Sequence, residues 1–236
     1  MFKGNTARLS AMPRLLRVGL WLLLLAPALA SGVVRDYYFR MLDARQGLSQ
    51  SSVTALLQDR AGFVWIATQG DLHRFDGYTF QALGDLVDAG ATLPSYVQSL
   101  AEDDQGRIFI GTLQDGLFVL DPAQRSIRPV LTDSGAPLLA QGRVDALLYQ
   151  AGSGLWVAGA RGVGRLQVHT GRYHEVLSFD AALFSPESGL VRGVRAMALD
   201  RDQVLWVAAI HGLYRIDGAG SRRCRAACAA ARSACR

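Results

Sequence analysis

Residues 47–80 read GLSQSSVTALLQDRAGFVWIATQGDLHRFDGYTF. From Val53, VTALLQD has the composition of a strand and DRAG that of a turn. FVWIAT is a second strand, rich in β-branched and aromatic residues. QGD is another turn, LHRFD a third strand, DG a turn, and YTFQAL an outer strand. Gly-containing turns that join four short strands make one four-stranded antiparallel sheet. On the second strand Phe63, Trp65 and Ala67 point one way, and Val64 and Ile66 the other. Apolar residues on both sides predict a sheet sandwiched between two neighbours, not one with a wet face.

The neighbours are in the sequence. Aligned on a leading Val, the pattern recurs at Val53, Val97, Val144 and Val194, at intervals of 44, 47 and 50 residues. Twelve residues after each Val stands a large aromatic: Trp65, Phe109, Trp156 and Trp206. Three residues after each Val comes Leu56, Leu100, Leu147 or Met197. A small residue follows each aromatic by two: Ala67, Gly111, Ala158 and Ala208. A repeat of about 40–50 residues made of short strands is the signature of a β-propeller blade. Such a unit cannot bury its faces alone and stacks on its neighbours. The predicted fold class is therefore all-β, with four blades near residues 53–83, 97–131, 144–177 and 194–217. Outer strands are predicted at Tyr78–Leu83, Arg125–Leu131 and Tyr173–Leu177, with none in the fourth copy. The shared spacing assigns the Val and aromatic positions to packing.

The string from Gly47 to Phe80 resembles the start of the two-component regulator propeller. These are the periplasmic sensor regions of bacterial hybrid histidine kinases and related diguanylate cyclases. Their repeats run roughly Gly-Leu-x-x-x-x-Val, an Asp-x-x-Gly turn, Trp-(Ile/Val)-Gly-Thr, Gly-Leu and Asp-Gly. The likeness covers about residues 35–217 and is tightest in the first two copies. Gly70-Asp71 departs from it, which touches one turn and not the blade. The resemblance implies seven-bladed rings followed by a β-sandwich, a membrane helix and cytoplasmic catalytic domains. None of those later parts lies in these 236 residues. On this reading the four copies are an open fragment of a seven-bladed propeller.

The first thirty residues carry an address. Lys3, Arg8, Arg14 and Arg17 precede the apolar run Gly19–Ala30, with no acidic residue among them. Ala28-Leu29-Ala30 is a small-residue cleavage signal, and the apolar run is too short to span a bilayer comfortably. The expectation is a signal peptide cut between Ala30 and Ser31, and a periplasmic mature chain. Asp36–Leu42 (DYYFRML) reads as an outer strand ahead of the first blade.

The basic pI near 9.4 comes from the ends. Residues 1–30 hold four basic side chains and residues 218–236 hold five, with no acidic residue in either segment. That leaves sixteen basic against twenty acidic between them, so the body carries about −4. No cationic face and no nucleic-acid partner are implied. Lys3, the only Lys, lies in the leader. P-loop, kinase and Schiff-base lysine chemistry is therefore absent from the mature chain. The final stretch, GAGSRRCRAACAAARSACR, contains only Gly, Ala, Ser, Arg and Cys. It holds all three thiols (Cys224, Cys228, Cys235) and reads as an aberrant tail outside the blades, as after a frameshift. Three thiols without a nearby His make a poor zinc site.

Catalytic constellations are thin. His73, His169, His174 and His211 occupy different places in the pattern. Asp59, Asp76, Asp103, Asp121, Asp200 and Asp217 recur at turns, where Asp caps backbone N–H groups. No nucleophile–base arrangement or phosphate loop stands out. No catalytic, cofactor or metal residue is assigned. Two function classes remain: the extracytoplasmic ligand-sensing part of a signalling protein, and a secreted propeller enzyme acting on polysaccharide. The expected partner is an unidentified small molecule or glycan, with a homodimer of the parent as a further partner class. Membrane contact is expected only through the leader or through parts outside this chain. Four blades shaped for a seven-fold wedge predict an open arc. Its exposed apolar faces are expected around Phe63 and Leu205, with aggregation as the hazard.

Overall fold

The computed structural model describes residue 39 and residues 41–139, 142–179, 193–210, 212–217 and 220–224. Contacts divide the chain after Met41, and the blades lie in the unit that begins at Leu42. Four antiparallel four-stranded sheets follow one another in chain order. Blade 1 is β1 (Val53–Gln58), β2 (Val64–Thr68), β3 (Leu72–Phe75) and β4 (Phe80–Ala82). Blade 2 is β5 (Val97–Glu102), β6 (Ile108–Thr112), β7 (Leu117–Asp121) and β8 (Ser126–Pro129). Blade 3 is β9 (Val144–Gln150), β10 (Gly154–Gly159), β11 (Gly162–Gln167) and β12 (Arg172–Ser178). Blade 4 is β13 (Val194–Leu199), β14 (Leu205–Ala209), β15 (Gly212–Asp217) and β16 (Gly220–Cys224). In every sheet each strand pairs with the next one in sequence, the meander of a propeller blade.

The first strand of each blade is the inner one: β1 packs on β5, β5 on β9 and β9 on β13. Among the described residues β13 and β1 do not pack on one another in that way, so the blades form an open arc. Three apolar clusters fill the three interfaces. Trp65, Ala67 and Leu72 of blade 1 meet Val97, Ile108, Ile110 and Phe118 of blade 2. Phe109, Leu117 and Val119 of blade 2 meet Val144, Leu155 and Val157 of blade 3. Trp156, Ala158 and Val163 of blade 3 meet Val194, Leu205 and Val207 of blade 4. Trp65, Phe109 and Trp156 therefore look forward, each at the blade that follows it.

That direction corrects the predicted exposed faces. Leu205 is buried against blade 3, and Phe63 lies under the Arg74 guanidinium, 4.5 Å from its ring centre. On the strands of the two end blades the exposed large apolar residues are instead Val53 and Leu56 on β1 and Leu213 on β15. A second correction concerns the fourth blade. Gly220–Cys224 forms its outer strand, paired with β15 from Leu213↔Cys224 to Asp217↔Gly220. An outer strand needs main-chain partners on one side only, so a segment without large apolar residues can still fill the place. The remainder of the predicted tail lies outside the described residues, as do the leader and its cleavage site at Ala28, Ala30 and Ser31.

The outer strand of blade 1 is shorter than predicted. It ends at Ala82, where a single helical turn, α1 (Leu83–Leu86), takes over. Leu83 and Leu86 turn into the cluster between blades 1 and 2, a burial that an extended chain would not give. Of the predicted strand Asp36–Leu42, Phe39, Met41 and Leu42 are described, and none of them is in a strand. No described helix is long and apolar enough to cross a membrane.

Candidate functional site: the two ends of the blades

The polar groups of this molecule collect at the blade ends. At the end carrying the turns between first and second strands, the turn acid ties the turn to the signature aromatic. Asp59 accepts from Phe63 N–H at 2.9 Å and from the Trp65 indole N–H at 2.8 Å. Asp200 accepts from Val204 N–H at 2.9 Å and from the Trp206 indole at 3.0 Å. These donors hold the Asp200 carboxyl below its usual range, the indole first. In blade 3, Gln150 takes the place of the acid and accepts from Trp156 Nε1 at 2.9 Å. In blade 2 the aromatic is Phe109, which has no N–H to offer. There Arg107 supplies the donor instead, its Nε 2.7 Å from the fully buried Asp103.

The acid or amide stands six residues before the aromatic in all four copies: 59 and 65, 103 and 109, 150 and 156, 200 and 206. The sequence contains this spacing, and turn capping by Asp59, Asp103 and Asp200 is only half of what these residues do. These knots satisfy indole and turn N–H groups and engage the carboxylates of Asp59, Asp103 and Asp200. Asp76 behaves alike at the β3–β4 turn. It accepts from Tyr78 and Thr79 N–H, and Thr79 leads in lowering its pKa.

The opposite end differs. There every inner strand carries a bulge at the residue after the signature Val. Val53 pairs with Thr68 and Ala55 with Ala67, leaving Thr54 as the extra residue. Gln98, Asp145 and Arg195 are the extra residues of blades 2, 3 and 4. A bulge re-aims its side chain and recurs beside functional sites. All four are polar.

Two of them reach the next blade. Thr54 Oγ1 donates to Val97 O at 2.6 Å. The Asp145 carboxylate faces the Val194 N–H, pairs with Arg143 and has a side chain only 2% exposed. Burial pushes its carboxyl up, against the pull of Arg143, of that N–H and of the Arg195 charge. Gly193 makes this approach possible, since a Cβ there would stand 2.6 Å from Asp145 Oδ2. In blade 2 the next residue does the reaching: Ser99 Oγ lies 3.4 Å from Val144 O.

Tyr96 sits beside this row with φ of 48° and is half exposed. A bulky residue in the left-handed region stores strain, and such strain gathers at ligand sites. Thr54, Tyr96, Gln98, Arg143, Asp145 and Arg195 thus form a polar rim at the inner edge of the arc. Hydroxyls, an amide, a carboxylate and guanidinia with one exposed phenol ring can hydrogen-bond a polyhydroxylated or peptide-like ligand. They do not assemble a nucleophile with its base.

The residues expected from sequence fall as follows. Val97, Val144 and Val194 are buried at the start of their inner strands, while Val53 is exposed. Trp65, Phe109 and Trp156 are buried in the blade interfaces, while Trp206 is half-buried at the arc's end. His73 is buried beside Phe80, whereas His169 and His174 are exposed and His211 lies outside the described residues. Among the described residues no three of His, Cys, Asp and Glu come together as metal ligands would.

The two component regulator propeller family matches this chain at residues 47–70 and 93–114, within the first two blades. Each of the two matched segments resembles one repeat of that family. A 46-residue stretch is 41% identical to histidine kinase P4 of Formosa agariphila, covering 20% of this chain and 3% of that protein. Among solved structures, one is described as the extracellular domain of a hybrid two-component system from B. thetaiotaomicron. It superposes with a TM-score of 0.60 at 22% identity, over 81% of this chain and 27% of that one. Virginiamycin B lyase from Staphylococcus aureus gives 0.54 at 16% identity, over 75% and 57%. The structural likenesses show the fold, and the fold is shared by the extracellular domain of a two-component system and by a lyase. The chain spans little more than a quarter of the first of these structures and a few hundredths of the kinase.

Proposed function

We propose that this chain is the extracytoplasmic ligand-sensing propeller of a bacterial two-component or diguanylate cyclase signalling protein. The observation that carries the reading is the pair of regulator-propeller repeats, supported by the local identity to a histidine kinase. The rim of bulge residues is where a ligand would be read. Ligand bound there bridges blades, favours one packing of the arc over another, and biases an output domain by that difference in affinity. The chain itself catalyses nothing in this reading, and it reaches the periplasm by cleavage between Ala30 and Ser31.

The test is a thermal-shift screen of the exported chain against small metabolites and oligosaccharides, with reducing-end release measured on the same samples. A ligand at a hundred times its Kd stabilises the folded state by about 2.7 kcal/mol. A saturable rise in Tm that is abolished by Gln98→Ala or Asp145→Asn, with no turnover, supports the sensor. Sustained release of reducing ends from a polysaccharide would replace it with the secreted-enzyme reading.

A further inference from the structure

Three of the blades repeat one pairing across their second and third strands, and blade 2 departs from it. Trp65 stands opposite Arg74, Trp156 opposite Arg165 and Trp206 opposite Arg215. In blade 3 the Arg165 guanidinium lies 5.5 Å from the Trp156 ring centre, so the two large side chains fill one strip of the sheet face. Blade 2 has Phe109 opposite Val119 at the same place. Two smaller side chains thus occupy the strip that looks at blade 3.

A cavity of about 210 Å³ lies there, between blades 2 and 3. Phe109 and Val119 form one wall, with Val130 beside them, and Leu166 of β11 faces them; all four are buried. A dry cavity of about 150 Å³ takes up benzene, so this one has room for a ring and a polar group on it. Its lining comes from blades 2 and 3 and from the turns beside them, so the cavity is complete without any further blade. It sits toward the outer strands and not at the rim of bulges.

The polar part of the lining has one sign. Arg107, Arg128 and His169 reach the cavity, and no acidic side chain lines it. Arg128, opposite Val119 on β8, is exposed and has no acid partner among the described residues. His169, in the turn after β11, is likewise exposed and unpaired there. Arg107 is held in place, since its Nε donates to Asp103 at 2.7 Å and its guanidinium lies 6.0 Å from the Phe109 ring centre. Its Nη2 is buried 2.6 Å from the same carboxylate without the geometry of a hydrogen bond, and can turn to a second acceptor.

We propose that this cavity binds a small carboxylate whose apolar body is about the size of one ring. The ring packs on Phe109, Val119 and Leu166, in the strip that Trp and Arg fill elsewhere. The carboxylate meets the Arg128 fork at the mouth, where planar guanidinium matches its two oxygens. Arg107 Nη2 and the His169 imidazole are the further donors.

The experiment is fluorine NMR of 4-fluorobenzoate titrated with the exported chain, beside the neutral 4-fluorobenzamide. The carboxylate should bind saturably with a Kd of about 1 mM, the range of a ligand this small, and the amide at least about tenfold more weakly. Arg128→Gln, at an exposed position, should weaken the carboxylate about tenfold through loss of a charge-assisted pair and leave the circular dichroism spectrum unchanged. Phe109→Trp, which restores the residue of the other three blades, should abolish binding in a protein that still melts cooperatively. Absence of saturable carboxylate binding would overturn the proposal, as would equal binding of the amide. Wild-type affinity in Arg128→Gln or in a folded Phe109→Trp protein would overturn it too. Loss of binding in Gln98→Ala or Asp145→Asn would put the carboxylate on the rim instead.

Discussion

Gly111→Ala is the perturbation whose cost the structure specifies most closely. The position is Ala in the other three blades, so the sequence alone makes the change look harmless. The cross-strand partners say otherwise. Ala67 pairs with Ala55, Ala158 with Ala146 and Ala208 with Ala196, but Gly111 pairs with Ser99. Blade 2 has moved one heavy atom from one side of the pair to the other. A Cβ on Gly111 would run into Ser99 Oγ and stand 2.5 Å from Val144 Cγ1. Both contacts are inside van der Waals distance, and Val144 is wholly buried. Overpacking of this kind costs about 1–3 kcal/mol. In a body of this size each kcal/mol moves Tm by about 2–4 °C. Ser99→Ala removes the nearer clash and forfeits only a long hydrogen bond of 3.4 Å to Val144 O. The double variant should therefore recover most of the loss, with a coupling energy above about 0.5 kcal/mol. The assay is thermal and urea unfolding of wild type, both single variants and the double. A Gly111→Ala protein as stable as wild type would refute the packing argument. So would additive single effects, since the two side chains would then not be competing for one space.

Other consequences follow from the turn knots. Asp59→Ala should cost about 1–3 kcal/mol, because the Trp65 indole and the Phe63 amide lose their acceptor, and urea unfolding reads it. Asp103→Ala should cost more, about 3–5 kcal/mol, because it also strands the largely buried Arg107 without its counter-charge. A smaller loss at Asp103 than at Asp59, measured in the same titrations, would contradict that order. Asp200 has a lowered carboxyl pKa in the folded chain, so its contribution is present above the unfolded value of 3.8 and is lost as pH falls below it. The Tm gap between wild type and Asp200→Asn should accordingly close on acidification. Asp145 runs the other way: its raised carboxyl favours the folded state at low pH, and that advantage fades as pH rises through the folded value. Melting curves of Asp145→Asn from pH 3 to pH 7 should therefore gain on wild type as pH rises, about as far as the loss of the Arg143 pairing allows.

Much of the architecture was legible because blade packing is periodic. A Val, an aromatic twelve residues later and a small residue two beyond it are spacings that main-chain geometry imposes, and all four copies obey them. Direction was harder to see. Whether Trp65 looks forward or backward along the arc depends on the handedness of blade stacking, which alternation along one strand does not encode. The exposed faces were therefore assigned to Phe63 and Leu205, when Leu56 and Leu213 are the open ones. The fourth outer strand was missed for a related reason. Composition forecasts side-chain burial, but Gly220–Cys224 is held by backbone pairing to β15. The rim was invisible because a bulge is a property of two strands together. Only the register shows that Thr54, Gln98, Asp145 and Arg195 are the same residue in four copies.

That equivalence also bears on where the proposed ligand would be read. Positions that hold the blades together must resemble one another, because each interface solves the same packing problem. Positions that read a ligand must differ from blade to blade, because a ligand lacks the arc's repeat symmetry. The row of bulges meets the second condition: a hydroxyl, an amide, a carboxylate and a guanidinium occupy one structural place. The turn knots meet the first, since an acid or amide answers an N–H donor in every copy, even where Phe109 forces Arg107 to supply it. Variation at a position of fixed geometry is therefore the mark expected of the proposed reading surface, and uniformity the mark of the scaffold. On that criterion the end of the arc bearing Tyr96 and the bulges is the one to probe with ligands. The end bearing Asp59, Asp103 and Asp200 serves stability.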